Sequence, residues 1–297
     1  MGSIIHDAKL PPGSWDSHVH VVDEDVFLLH PDHPYRPKKA DLNDLLAFEQ
    51  SYGISHVCLI AFSVYGTDNS SIFDTLSRLN GKGRAVVCID PETTSDAEIS
   101  AMHDLGVRGV RLNLRTRSEI IEPSLFAIIL RKYAEKIRRF GWALQIYTSF
   151  DQVKHIASVI PSLGVPVVFD HLASPEGSLP PKQLPGYSEL MSLLKERLVY
   201  VKLSGMYRFP DTPGLGEYVM EILRIAPTQV VWASDWPHSG GVTRNPGGDR
   251  KKVQEYRSVN IPEFVETCKR WCNYDEDLMN KIWVENPRRL WQSSKED

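Results

Sequence analysis

The 297-residue sequence contains no apolar run approaching the roughly 18 residues that a membrane span requires. Its opening, MGSIIHDAKLPPGS, lacks the basic segment and the apolar stretch of about 7–15 residues that mark a secretory leader. Both absences lead us to expect a cytoplasmic protein without a membrane partner. No block of Lys and Arg stands clear of acidic neighbours, and the net charge is −4 with a pI of 6.2. That balance lacks the electrostatic footprint of a nucleic-acid binder, so small molecules are the expected partners, and the chain is expected as a monomer or small homo-oligomer. Cysteines are few. Cys58 and Cys88 lie in apolar runs and Cys268 and Cys272 lie four apart in a helical stretch, with no further ligands at zinc spacing, so all four read as packing residues. A Gly-rich phosphate turn after the first strand is also missing, which argues against an open doubly wound sheet.

What is present is an alternation. Strand-like apolar runs occur at 15–22, 56–63, 83–90, 107–114, 142–149, 165–172, 198–205 and 230–237. Most are continuous rather than alternating, as strands covered on both faces by helices are. Helical periodicity separates them at 41–52, 69–79, 95–105, 123–139, 151–160, 187–195 and 215–225, and recurs at 261–271 and 275–284. Asn69, Ser95 with Glu98, Pro123 and Asp151 read as helix starts. Eight βα units without an intervening linker predict a (β/α)₈ TIM barrel, one α/β domain over 1–297 with an irregular arm at 1–13. The segments 23–40, 174–186 and 237–251 are too long for ordinary connections and all follow strand C-termini, where barrel sites are built.

The segment WDSHVHVVD sets His18 and His20 two residues apart on a strand, so both rings share one face and Ser17 and Val19 take the other. Strand ends elsewhere contribute Arg111, Tyr147, His171, Lys202 and Asp235. In a barrel these converge. Asp235 follows the apolar run VVWAS, where a carboxylate needs a role or a partner. Two chemistries suit three imidazoles and one carboxylate. His18, His20, His171 and Asp235 could hold one Zn²⁺ and activate its water, or the imidazoles could polarise a carbonyl while Asp235 takes a proton from water.

Strand by strand, the chain resembles the amidohydrolase superfamily, and within it the amidohydrolase-2 group. DSHVHV (16–21), YGTDN (65–69), GVRGVRLN (106–113) with Arg117, the 142–147 strand, VVFDHLASP (167–175), VVWASDWPH (230–238) and ENPRRLW (285–291) carry the resemblance in order. It implies a distorted barrel and opening of a small carboxylated, pyrone-dicarboxylate-like lactone without a metal. On that reading His18, His20 and His171 surround the ring carbonyl and Asp235 activates water. Arg111, Arg117, Tyr147 and Arg208 bind the substrate, and arginine forks match carboxylates in bidentate fashion. The alternative is a single-zinc hydrolase or a non-oxidative aromatic-acid decarboxylase of the same superfamily. A barrel that binds without turnover is a third reading. Arg111 and Tyr147 stand where binuclear members carry metal ligands, so a two-metal site is not expected.

Overall fold

The continuous apolar runs form eight parallel strands in the computed structural model, which describes residues 9–115, 121–245 and 247–291. They are β1 (Trp15–Val19), β2 (His56–Ile60), β3 (Gly83–Val87), β4 (Val107–Asn113), β5 (Ala143–Tyr147), β6 (Val167–Phe169), β7 (Val199–Leu203) and β8 (Val230–Trp232). Each pairs with its neighbour in sequence. The last meets the first through a parallel bridge between Val19 and Trp236, an Asp235 N–H to His18 C=O bond of 3.1 Å and a His20 N–H to Trp236 C=O bond of 3.0 Å. That seam closes a distorted (β/α)₈ barrel and removes the open-sheet alternative.

Helices α1 (Leu42–Tyr52), α2 (Ser70–Arg78), α3 (Asp96–Leu105), α4 (Pro123–Ile137), α5 (Val153–Ile156), α6 (Tyr187–Lys195), α7 (Leu215–Ile225) and α8 (Ile261–Trp271) cover the outside. Ser95 and Glu98 form the expected capping box. Asn69 does not cap α2; its side chain instead accepts from the Cys88 N–H at 3.1 Å and donates to the Cys88 carbonyl at 2.8 Å, stapling α2 to the end of β3. The helix expected at 151–160 is broken into short turns around α5, because Pro161 lacks the N–H that would continue the ladder. Cys268 and Cys272 are both buried, as packing residues are.

β1 departs from a regular strand. Asp16 pairs with Val57 and Val19 with Leu59, so one extra residue is accommodated between them. The bulge turns both Ser17 and His18 to the barrel interior, whereas strict alternation would have separated them. Ser17 Oγ accepts from Trp291 Nε1 at 3.2 Å. Trp291 and Leu290, at the end of a helical run from Glu276 to Leu290 with a π segment at Lys281–Glu285, pack against Trp15, Cys58, Val86 and Val231 and form the barrel floor.

At the other end the long segments meet. Arg36–Pro37 pairs in parallel with Val253–Gln254, Arg250 donates to the Pro31 carbonyl at 2.8 Å, and Tyr256 donates to the Lys38 carbonyl. The loops after β1 and β8 are thereby strapped together beside the pocket. Of the N-terminal arm, residues 1–8 lie outside the described residues; Leu10 is buried and its N–H bonds the Tyr52 carbonyl at 3.0 Å.

Candidate active site

Three layers of polar side chains stand on the floor. Lys202, fully buried on β7, lies 5.5 Å above the Trp291 ring and donates to Gln145 Oε1 at 2.7 Å. Its ammonium is 3.2 Å from His18 Nδ1 and 3.4 Å from Asp170 Oδ1. Asp170 also accepts from Arg111 at 3.2 Å and Gln145 at 3.1 Å through Oδ2. Burial works against this charge, but Lys202, His18 and Arg111 together hold the Asp170 carboxyl well below the usual range. The network fixes His18 from behind.

Above it, His18 Nε2 faces His20 Nε2 at 3.2 Å, and His20 Nδ1 lies 2.7 Å from the Ile60 carbonyl. A carbonyl only accepts, so His20 carries its proton on Nδ1 and turns a lone pair inward. Burial depresses all three rings: His18 well below its ordinary value, aided by Lys202, His20 to about 3, aided by Arg111, and His171 to about 4. They are neutral at pH 7.

His171 and Asp235 stand on loops rather than on strands. β6 ends at Phe169 and β8 at Trp232, three and five residues earlier than expected, because both site residues adopt positive φ, 49° and 65°. Four successive residues, His171 to Ser174, sit in the left-handed region, at roughly 1–2 kcal/mol each. The turn is held by Tyr218, donating to the Leu172 carbonyl at 2.9 Å, and Thr212, donating to Pro175 at 3.0 Å. Gly205 makes room for the ring: a Cβ there would approach His171 Cγ and Nδ1 to 2.8 Å. His171 Nδ1 lies 2.9 Å from Ser204 Oγ.

Asp235 is buried, with oxygens in unequal surroundings. Oδ2 accepts from Tyr207 at 2.5 Å and from Arg208 Nε and Nη2 at 2.9 and 2.6 Å. Oδ1 has no hydrogen-bond partner among the described residues and lies 3.7 Å from His18 Nε2. Burial would raise this carboxyl, yet the Arg208 guanidinium holds it well below the usual range. The residues open into a pocket of about 660 Å³, whose wall includes His20, Arg111, Tyr147, His171, Arg208 and Asp235. Arg117 lies outside the described residues.

A family model described as "Amidohydrolase" matches residues 15–292. The chain belongs to the amidohydrolase family. One curated relative, 4-sulfomuconolactone hydrolase of Rhizobium radiobacter, is 28% identical over 290 residues, 95% of this chain and 91% of that one. Another, 2-pyrone-4,6-dicarboxylate hydrolase of Comamonas testosteroni, is 27% identical over 296 residues, again 95% and 91%. Among solved structures, a protein assigned as 2-pyrone-4,6-dicarboxylic acid hydrolase from Pseudomonas putida superposes with a TM-score of 0.77 at 25% identity, covering 95% of this chain and 98% of that one.

In this amidohydrolase, Tyr207, Ser204 and Gln145 join the site although no pattern in the sequence points to them. Each supports a group that the sequence does mark. Arg115 lines the pocket and is paired with Glu176. Arg257 lines it too, from the loop after β8. His18, His171 and Asp235 each offer one ligand atom within 4.8 Å of the others, and the unpartnered Asp235 Oδ1 is one that a cation would satisfy. This nitrogen and oxygen set fits one divalent ion; His20 is not part of it.

Proposed function

We propose that this amidohydrolase hydrolyses a small anionic lactone. The observation that carries the reading is Asp235 Oδ1, a buried carboxylate oxygen with no hydrogen-bond partner among the described residues, beside three neutral imidazoles in a pocket with arginines in its wall. The hydrolysis named for the two curated relatives, each matched over 95% of this chain, supports it.

A water bonded to Oδ1 attacks the ring carbonyl carbon, and its proton passes to Asp235. The low basicity of this carboxylate is offset by position, since the proton acceptor and carbonyl are held together. Ser204, donating its hydroxyl hydrogen into His171 Nδ1, selects the tautomer with N–H at Nε2, which donates to the developing oxyanion. His18 and His20 share one proton between their facing Nε2 atoms and flank the water. Cleavage of the ring C–O bond then returns the proton from Asp235 to the leaving oxygen. The product is a hydroxy acid, which ionises at neutral pH. Tyr147 and the arginine wall orient the anion.

A second reading rests on the three-ligand cluster: His18, His171 and Asp235 would hold one divalent ion, which supplies Lewis acidity and lowers the pKa of bound water. Tyr147 and the arginine wall keep the same role toward substrate in both readings, whereas His18, His171 and Asp235 would serve as ligands in the second.

Asp235→Asn is expected to lower lactone turnover by about 10²–10⁴-fold with the melting temperature nearly retained, measured by proton release with a pH indicator. Full turnover by a folded Asn variant would sink the assignment. Elemental analysis of the same preparation, followed by chelation, separates the readings: stoichiometric metal and lost activity favour the second.

A further inference from the structure

The arginines of the pocket differ in what neutralises them. Arg111 is paired with Asp170 at 3.2 Å, Arg208 with Asp235 at 2.6 Å and Arg115 with Glu176. Two of these, Arg111 and Arg208, are the residues expected from sequence to hold substrate, yet both direct donors onto internal carboxylates. Arg111 commits a further N–H to the Ala61 carbonyl at 3.0 Å. Arg257 is the exception. Among the described residues that line the pocket it is the arginine without a carboxylate partner.

Its surroundings make that imbalance costly in the absence of an anion. Arg257 Nε is buried without a hydrogen-bond partner among the described residues, and Nη2 makes one long bond, 3.4 Å, to the Gly240 carbonyl. The guanidinium carbon lies 5.5 Å from the Tyr207 ring centroid, and that of Arg208 lies 5.2 Å from the same ring. Two cations therefore flank one aromatic ring while the nearby carboxylate, Asp235, is bonded by Arg208 and Tyr207. Burial, then Arg208, push the Arg257 guanidinium below its ordinary pKa, the response of a cation lacking its counter-ion. Another carboxylate of the wall, Asp151, accepts from Gln152 at 3.2 Å and forms no ion pair with Arg257. The backbone is already set, with the Arg257 N–H bonding the His238 carbonyl at 3.0 Å.

We infer that Arg257 is the anchor for an anionic substituent of the ligand, a carboxylate carried away from the scissile carbonyl. It would hold that group through its unpartnered Nε–H and the neighbouring guanidinium N–H. The ligand's identity as a lactone rests on the function proposed above; the anion subsite rests on the charge pairing alone. Specificity for charged over neutral rings then arises from the loop after β8, which has the strap to the loop after β1 to hold it in place.

The test is a calorimetric titration with isophthalate, a ring dicarboxylate, and with isophthalamide, its neutral counterpart of similar outline. Wild-type protein is expected to prefer the dianion. Arg257→Gln is expected to weaken isophthalate by about 10- to 100-fold, the size of a charge-assisted bidentate contact, and isophthalamide by less than about twofold. Arg257→Lys is expected to recover part of the loss, with binding that falls more steeply as salt rises. If the Gln variant does not fold, the Lys variant decides, with a loss of at least about threefold expected for isophthalate only. Equal weakening of both ligands, undiminished isophthalate binding, or no preference for the dianion in wild type would each overturn the inference. The titration involves no turnover, so failure of the wild type to open lactones would remove the proposed reaction and leave the subsite standing.

Discussion

Glu49 of α1 buries both carboxylate oxygens with no hydrogen-bond partner among the described residues, and Asp16 of β1 likewise leaves Oδ2 unpaired. Burial, reinforced by Asp16, raises the Glu49 carboxyl well above its ordinary value, and burial raises Asp16 to about 7. For Glu49 the folded chain keeps a proton that the unfolded chain releases near 4.5, so stability is lost as pH rises above about 4.5. Replacing Glu49 by Met removes that loss. The variant is expected to exceed wild type by about 1–3 kcal/mol at pH 8 and by less at pH 4.5, in urea unfolding at both values. A gain that did not grow with pH would contradict the assignment. Asp16 differs because its other oxygen is occupied. Oδ1 accepts the N–H groups of His18 and Ser234 at 3.1 and 3.0 Å, setting β1 and the start of the loop after β8 in register. At this scale the sequence was informative where polarity broke an apolar run. Asp235 after VVWAS and His18–His20 in a strand stand out because desolvation demands a reason for them. Arg257 does not, because it lies in the polar stretch 247–258, where an arginine is ordinarily solvated, and only the fold turns it inward.

Among the elements, the eight strands were legible because covered strands need continuous apolar runs, and most helices because one face must meet the barrel. Their ends were not. The bulge in β1 has no Gly or Pro to mark it, and a strand drawn through 15–22 assigns Ser17 to the wrong face. The left-handed turn at His171–Ser174 is equally silent, since none of its four residues is Gly. Its support comes from other elements, Tyr218 on α7 and Gly205 after β7. Gly205→Ala tests that dependence. The added methyl meets the His171 ring, and φ of +69° strains any Cβ, so about 1–3 kcal/mol of stability should be lost. Displacement of the ring should lower kcat at least about tenfold. A stable variant with unchanged kcat would show that His171 needs no such clearance.

For the whole molecule, one closed barrel follows from the count of βα units, but the manner of closure does not. The seam between β1 and β8 and the Trp291 floor join residues far apart in sequence, and nothing in local pattern says which aromatic residue will plug the interior. Trp291 is fully buried, bonded to Ser17 and stacked beneath Lys202. Trp291→Ala is expected to cost about 3–5 kcal/mol in urea unfolding. It should also loosen Lys202, and with it His18, so turnover should fall although Trp291 is remote from the pocket. A loss below about 1 kcal/mol would mean that the floor is not built as described. The seam has one more consequence, in time rather than in energy. The Ser234 N–H that bonds Asp16 is 218 residues away in sequence. At a synthesis rate of about 5–20 residues per second, His18 leaves the ribosome roughly 10–45 s before the residues that complete its site. During that interval β1 can pair with β2 along one edge only, and His18 and His20 lack Asp235, so the other edge must be kept from pairing with a neighbour until the eighth strand arrives.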